Sequence, residues 1–157
     1  MTFNFSEFKN KKIIVTGSST GIGFETGVEF LNLGANVIFH GNQSINDLEA
    51  RIKTKSQSKN FKLFKSDFTD LSQVDNFMND AINYLDGLDI LVNNAGTMVG
   101  RYQLDTISEK DFLKIFDLNA KSAYFATKSA CTIFKKQNYG NIINVSTISA
   151  RTGGSAG

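Results

Sequence analysis

Short apolar runs alternate with amphipathic stretches along most of this chain. Five runs rich in β-branched and aromatic residues each end in Gly, Asn, Asp or Ser, which is typical of strands buried on both faces. The predicted strands cover residues 12–17, 36–41, 61–67, 89–94 and 141–146. Helical periodicity covers residues 21–33, 44–57, 72–85 and 108–137, with a bend expected near residues 117–122.

The order of these elements predicts the fold class. Strands and helices alternate regularly, which favours a parallel sheet with right-handed crossovers and helices on both faces. We therefore expect residues 1–157 to form one α/β, doubly wound (Rossmann) domain with five parallel strands. No internal repeat, low-complexity tract or linker indicates a second domain.

Composition and charge narrow the class of ligand. The chain has 157 residues, of which 41% are hydrophobic and 20% charged, and this suits one globular domain with a core. The net charge is +2 and the chain has no long run of like charges, so the sequence predicts no basic surface for binding nucleic acid or an anionic membrane. The amino terminus is too polar for a signal peptide, and no apolar run approaches the roughly 18 residues of a membrane span. We expect a cytoplasmic protein with small-molecule ligands and no metal site.

The only cysteine, Cys131, lies in the apolar stretch SACTIF. A single cysteine cannot form an internal disulfide, and this setting is typical of a buried structural thiol in a reducing compartment.

Three glycines follow the first predicted strand in the sequence TGSSTGIG, residues 16–23. Their spacing is G-x-x-x-G-x-G, which differs from the G-x-G-x-x-G of the usual dinucleotide fingerprint. It meets the same physical demands, a tight strand-to-helix turn and a backbone without a Cβ in the way of a pyrophosphate. The predicted phosphate site comprises Gly17, Ser18, Ser19, Thr20, Gly21, Ile22 and Gly23, with hydroxyl groups as additional phosphate or ribose partners.

The ends of the second and third predicted strands bear on the cofactor. The stretch FHGNQS, residues 39–44, holds no carboxylate that would bond the ribose hydroxyls of NAD and repel a 2′-phosphate. NADP is therefore favoured over NAD, although the stretch has no Arg or Lys to bind the 2′-phosphate. Asn42 is assigned to the cofactor site. His40 is interpreted as a partly exposed strand-end residue rather than a catalytic base. Asp67, beside Phe68, either bonds the adenine amino group or caps the following turn.

The fourth predicted strand ends in NNAG, whose Asn94, Ala95 and Gly96 would let the backbone pass close under a nicotinamide ribose. The chain thus holds TGxxxGIG, an Asp after the third strand, NNAG, Asn119 in a helix, and IINVST at residues 142–147. From about residue 10 onward, this ordered set resembles the classical short-chain dehydrogenase/reductase family. It most resembles 3-oxoacyl-carrier-protein reductases and similar NADP-dependent carbonyl reductases and sugar or polyol dehydrogenases.

The resemblance implies hydride transfer between nicotinamide and a carbonyl or alcohol, with Asn, Ser, Tyr and Lys as catalytic residues. Asn119 matches the Asn whose backbone carbonyl holds a relay water in the family; otherwise it is a polar residue at a helix bend. The Ser that bonds the substrate oxygen corresponds to Thr147, which we favour, or to Ser146 if the register moves. Both hydroxyls are otherwise expected to cap a turn.

The family's Tyr is expected about 13 residues after the Ser, with Lys four residues later, and residue 157 precedes that point. Tyr124 and Lys128 have the i, i+4 spacing, but they precede the Ser and are interpreted as part of a packing helix. We expect this chain to be inactive by itself and to belong to a longer NADP-dependent reductase of small or acyl-carrier-bound carbonyls.

The resemblance also implies a homo-dimer or homo-tetramer, with an exposed apolar face on residues 123–136. The alternative to an enzyme is a catalytically incomplete nucleotide-binding or partner-binding module, which would bind the cofactor without turnover.

Overall fold

The computed structural model describes residues 5–42, 45, 47–103 and 105–153. Within them, five parallel strands form one sheet in the order β3-β2-β1-β4-β5. The strands are β1 Lys12–Val15, β2 Asn36–Gly41, β3 Phe61–Lys65, β4 Ile90–Asn93 and β5 Asn141–Asn144. The helices are α1 Gly21–Asn32, α2 Leu48–Lys55, α3 Leu71–Leu85, α4 Glu109–Phe116, α5 Ser122–Gln137 and α6 Ser149–Thr152. The predicted doubly wound α/β fold is confirmed.

Both faces of the sheet are covered, because successive residues of a strand point to opposite sides. On one face, Ile13 and Val15 pack in a cluster that includes the buried side chains of α1 and α2. On the other, Ile14 and Leu91 pack in a cluster built with α3 and α5. Burial on both sides explains why the central strands read as continuous apolar runs.

The bounds of the helices differ from the prediction in two places. Helix α2 begins at Leu48, whereas the pattern predicts a start near residue 44; Gln43 and Ser44 lie outside the described residues. The long helix predicted over 108–137 is divided into α4 and α5 by a π-helical turn, Asp117–Lys121. The bend expected near residues 117–122 therefore takes the form of a wider helical turn.

Side-chain caps begin two helices next to the site. The Asp70 carboxylate accepts a hydrogen bond of 2.9 Å from the backbone N–H of Ser72, at the start of α3. The Ser108 hydroxyl accepts one of 3.1 Å from the N–H of Asp111, at the start of α4. Each cap satisfies a backbone donor that the first helical turn leaves without a partner.

Large apolar side chains are exposed on α4. Phe112, Leu113 and Phe116 are 53%, 48% and 56% exposed, and the two phenyl rings stack with centroids 6.1 Å apart. On residues 123–136, where the resemblance implies an exposed apolar face, Tyr124 is exposed, but Phe125, Ile133 and Phe134 are half-buried against the core. Cys131 is half-buried, whereas the sequence predicts a buried thiol. The adjacent Ala130 is the residue that faces the core.

No helix in the described part of the chain is long and apolar enough to cross a membrane.

Candidate cofactor and catalytic site

The strand order reverses direction between β1 and β4, and this opens a crevice at the carboxyl ends of the two strands. From β1 the chain proceeds outward through β2 and β3, and then returns to β4 on the opposite side of β1. Ligands of open α/β sheets bind in such a crevice. The site residues predicted from the sequence follow the five strands at this edge, except Asn119, which lies in the π-helical turn Asp117–Lys121.

Close backbone packing accounts for two glycines of the loop after β1. Gly17 has a φ of +61°, and a Cβ placed there would lie 2.7 Å from the Cα of Ala95. A Cβ on Gly23 would lie 2.6 Å from the Gly17 carbonyl oxygen and would also overlap the Asn94 amide. The glycines therefore let the loop after β1, the start of α1 and the loop after β4 touch one another.

Hydrogen bonds join the same two loops. The Thr16 hydroxyl accepts bonds of 3.0 Å from the backbone N–H groups of both Asn94 and Ala95. The Asn94 side-chain amide donates to the carbonyl oxygens of Thr16 and Gly17, each at 3.0 Å. Thr16 is 2% exposed, so these bonds are shielded from water. Thr16 is a site residue that the sequence analysis did not assign.

The Ser18 hydroxyl faces the interior of the protein. It donates to the Val15 carbonyl oxygen at 2.6 Å and accepts from the His40 backbone N–H at 2.8 Å, and Ser18 is 0% exposed. The expectation that this hydroxyl bonds a phosphate is not met, because both bonds hold it inside the fold. Ser19 is half-buried, and Thr20 and Gly21 are exposed.

Helix α1 presents its amino terminus at the crevice. The first backbone N–H groups of a helix have no partner within it and attract anions. Ile22, in this first turn, is 68% exposed, which is unusual for a large apolar side chain beside a core helix.

His40 is buried beneath the glycine loop, so its interpretation as a partly exposed residue is wrong. Its Nδ1 accepts a hydrogen bond of 3.0 Å from the Gly17 N–H, and its Nε2 lies 3.1 Å from the Ser66 carbonyl oxygen. This pattern requires a neutral ring with its proton on Nε2. Burial lowers the pKa of His40 to about 4, although the bond to Ser66 and the nearby Asp67 carboxylate favour the charged form.

Asp67 caps the turn that follows β3. One carboxylate oxygen accepts from the Thr69 N–H at 2.9 Å and from the Thr69 hydroxyl at 2.8 Å. The bond from the Thr69 N–H contributes most to lowering the pKa of Asp67, and a bond from the Asn42 side chain lowers it further. The Phe68 ring is 2% exposed and stacks on His40 with centroids 3.9 Å apart, so only its main chain can contact a ligand.

Asn119 lies in the π-helical turn and binds the loop after β4. Its side chain accepts from the Thr97 N–H at 2.9 Å and donates to the Thr97 carbonyl oxygen at 2.8 Å. A Cβ on Gly96 would lie 2.6 Å from the Asn119 Oδ1. The side chain therefore fixes the end of the NNAG segment, a contact that the sequence analysis did not predict.

Ser146 and Thr147 follow β5 at the same edge. Asn144 is in register with Asn93 of β4, and the Val145 N–H donates to the Asn93 carbonyl oxygen at 2.9 Å. The Thr147 hydroxyl accepts a bond of 3.2 Å from the Ser149 N–H, which leaves its own proton able to be donated to a substrate oxygen. Both residues are exposed.

A cation from α2 also reaches the glycine loop. The Arg51 guanidinium donates to the Ser19 carbonyl oxygen at 3.0 Å and lies over the Phe24 ring, 4.6 Å from its centroid. Arg51 is a site residue not predicted from the sequence, because it lies in α2 and not in the stretch directly after β2.

The family profile described as short chain dehydrogenase matches residues 11–157. The chain belongs to this family. It is 32% identical to a probable NADP-dependent mannitol dehydrogenase of Yarrowia lipolytica, over 90% of this chain and 51% of the relative. It is 30% identical to a sorbose reductase of Schizosaccharomyces pombe, over 95% of this chain and 59% of the relative. The chain thus spans about half the length of the curated relatives it matches.

A solved reductase shares the fold. The crystal structure of the NADH-dependent reductase A1-R′ complexed with NAD is 30% identical, with a TM-score of 0.87. The match covers 98% of this chain and 66% of that protein. The family expected from the ordered motifs is thereby confirmed.

Proposed function

We propose that residues 1–157 form the amino-terminal, dinucleotide-binding part of an NADP(H)-dependent short-chain reductase. The whole protein would transfer a hydride between nicotinamide and a carbonyl or alcohol carbon of a small substrate. The observation that carries the proposal is the contact between the loops after β1 and β4, where a Cβ on Gly17 would lie 2.7 Å from the Cα of Ala95. Such a side-chain-free cradle at the strand-order reversal suits a dinucleotide.

The residues around this cradle fit the parts of a nicotinamide dinucleotide. The pyrophosphate would bind at the amino terminus of α1, where Gly21 and Ile22 are exposed and Thr20 adds a hydroxyl. The nicotinamide ribose would lie against Asn94, Ala95 and Gly96. The adenosine would lie at the ends of β2 and β3, against Asn42, Asp67 and the main chain of Phe68.

The catalytic residues would lie on the β5 side of the crevice. When bound, the nicotinamide supplies or accepts the hydride. The hydroxyl of Thr147, or of Ser146, would donate a hydrogen bond to the substrate oxygen and stabilise the charge that develops there. The Asn119 backbone carbonyl would hold a water of the proton relay, and π-helical turns such as the one that contains it recur at functional sites. The Tyr and Lys of the family are expected beyond residue 157, so this segment alone would be inactive.

NADP is proposed over NAD because the β2 end, His40-Gly41-Asn42, offers no carboxylate to the ribose. The mannitol dehydrogenase relative is NADP-dependent by name, whereas the reductase A1-R′ is NADH-dependent. Mannitol dehydrogenase and sorbose reductase relatives support a polyol or ketose as substrate. An acyl-carrier-bound carbonyl is the second substrate class to test.

We further propose a cytoplasmic homo-dimer or homo-tetramer. The exposed apolar surface of α4 supports a subunit contact, because contiguous apolar patches of this kind are typical of interfaces.

The test uses the full-length protein. NADPH and NADH binding is measured by calorimetry, and oxidation of each is followed optically with ketoses and with a 3-oxoacyl thioester. We expect NADPH to bind and to be oxidised by one of these carbonyl classes. Binding without turnover of any carbonyl would favour a nucleotide-binding module, and failure to bind either nucleotide would contradict the proposal.

A further inference from the structure

We propose that Arg51 is a specificity-determining residue that binds the 2′-phosphate of NADP(H). The inference rests on the proposed function, since it assigns a residue within the same cofactor site. It supplies the cation that the stretch after β2 lacks.

The first argument is position. The Arg51 guanidinium donates to the Ser19 carbonyl oxygen at 3.0 Å. Gly41, the last residue of β2, approaches the same serine so closely that a Cβ on Gly41 would lie 2.8 Å from the Ser19 Cβ. The end of the second strand is where dinucleotide sites contact the 2′ position of the adenosine ribose. Arg51 and this strand end therefore both contact Ser19 of the glycine loop.

The second argument is orientation. The guanidinium carbon lies 4.6 Å from the centroid of the Phe24 ring, and Phe24 is 4% exposed. Stacking on a buried ring holds the planar group in place at low entropic cost. The Arg51 side chain is still 39% exposed, so a ligand can reach it. Because a guanidinium has five N–H donors, it can bond both Ser19 and a phosphate.

The third argument is charge. Two cations lie over the Phe24 ring, Arg51 and Lys55. The Lys55 ammonium is paired with Glu25, at 2.6 and 2.8 Å from its two carboxylate oxygens. Among the described residues, the acidic partner of Arg51 is the exposed Asp47 at 4.0 Å, and such long surface pairs are weak. Its positive charge therefore remains available to an anionic ligand.

Calorimetric titration of the full-length protein with NADPH and NADH tests the assignment. Arg51→Gln is expected to weaken NADPH binding by about tenfold or more, which is the scale of one lost charge-assisted contact, and to change NADH binding by less than about twofold. Lys55→Gln is the matched control, since it removes a neighbouring cation that is already paired. It should alter either affinity by less than about twofold.

Arg51→Lys, which keeps the charge and loses the planar fork, should recover part of the NADPH preference. Thermal unfolding of the nucleotide-free variants separates a loss of the phosphate contact from a loss of the fold.

The outcomes distinguish this inference from the proposed function. Equal weakening of NADPH and NADH in Arg51→Gln would overturn the assignment, and so would a wild-type protein that prefers NADH. Equal weakening would leave the NADP(H)-dependent reductase standing, whereas a preference for NADH would leave a nicotinamide-dependent reductase whose cofactor is NAD(H). A wild-type protein that binds neither nucleotide would overturn the proposed function itself.

Discussion

The ring of His40 supports the main chain of Gly17 through a hydrogen bond of 3.0 Å, from the Gly17 N–H to the His40 Nδ1. Its second nitrogen donates to the Ser66 carbonyl oxygen, and its ring stacks on Phe68. One buried side chain thus ties the glycine loop after β1 to the segment after β3. The neutral ring is required, because protonated Nδ1 could not accept the bond from Gly17.

The His40 contact predicts a pH-dependent stability. The pKa of His40 is about 4 in the folded state and about 6.5 in the unfolded chain. A depressed pKa means that the contribution to stability is complete above pH 6.5 and is lost as pH falls towards 4, by about 3 kcal/mol in total. Urea unfolding between pH 6.5 and 5 should show about half of this loss in the wild type. In His40→Gln, whose amide can replace both bonds without titrating, the slope should be flatter; an unchanged slope would contradict this account.

Substitution of two glycines separates steric overlap from backbone strain. Gly23→Ala should destabilise the fold by about 3 kcal/mol and abolish nucleotide binding, because the new Cβ would meet the Gly17 carbonyl oxygen at 2.6 Å. Gly21→Ala places its Cβ in open space, but φ is +58°, so a loss of about 1 kcal/mol is expected. Denaturant unfolding compares the two variants. Equal losses would mean that the packing against Gly17 and Asn94 is not what requires Gly23.

Removal of the Thr16 hydroxyl should loosen the contact between the loops after β1 and β4. Thr16→Val leaves the N–H groups of Asn94 and Ala95 without their acceptor, at a cost of about 2–4 kcal/mol. Thr16→Ser keeps the hydroxyl and serves as the control, with a loss expected below about 1 kcal/mol. Chemical unfolding and NADPH titration of both variants provide the measurement. A Thr16→Val protein as stable as Thr16→Ser would rule out a structural role for the hydroxyl.

The two hydroxyls after β5 can be ranked by kinetics of the full-length enzyme. Thr147→Val should lower kcat on the order of a hundredfold, the usual effect of removing one donor to a developing oxyanion. Thr147→Ser should retain most of the activity, and Ser146→Ala should lose less than Thr147→Val. The reverse ranking would assign the substrate contact to Ser146.

The sequence predicts the strands well because each central strand is apolar on both faces, but it places the carboxyl ends of all except β2 too late. The predicted strand 12–17 ends at Val15, and the predicted strand 61–67 ends at Lys65. At these points the chain leaves the sheet to line the site. The Thr16 hydroxyl accepts from the backbone N–H groups of Asn94 and Ala95 after β4, and the Asp67 carboxylate caps its own turn at Thr69. A local pattern does not distinguish a last strand residue from the first residue of a functional loop.

Residues that act across the fold are harder to predict. His40 contacts Gly17, and Arg51 contacts Ser19, over separations of 23 and 32 residues. A lone polar residue at a strand end is typical of a solvent-facing position, which is why His40 was expected to be partly exposed. Its burial results from three segments that converge on it, and that convergence is visible only in three dimensions.

The π-helical turn Asp117–Lys121 determines which side chains of the following helix, α5, point towards the core. Each added or deleted residue in a helix rotates the later positions by about 100° around its axis. A one-residue deletion in this turn would therefore swing Ala126 and Ala130, whose small side chains face the sheet, out of the core. Bulkier neighbours would take their place against β4. The length of this segment is consequently a constraint in its own right, and insertions or deletions are better accommodated in the surface loops than here.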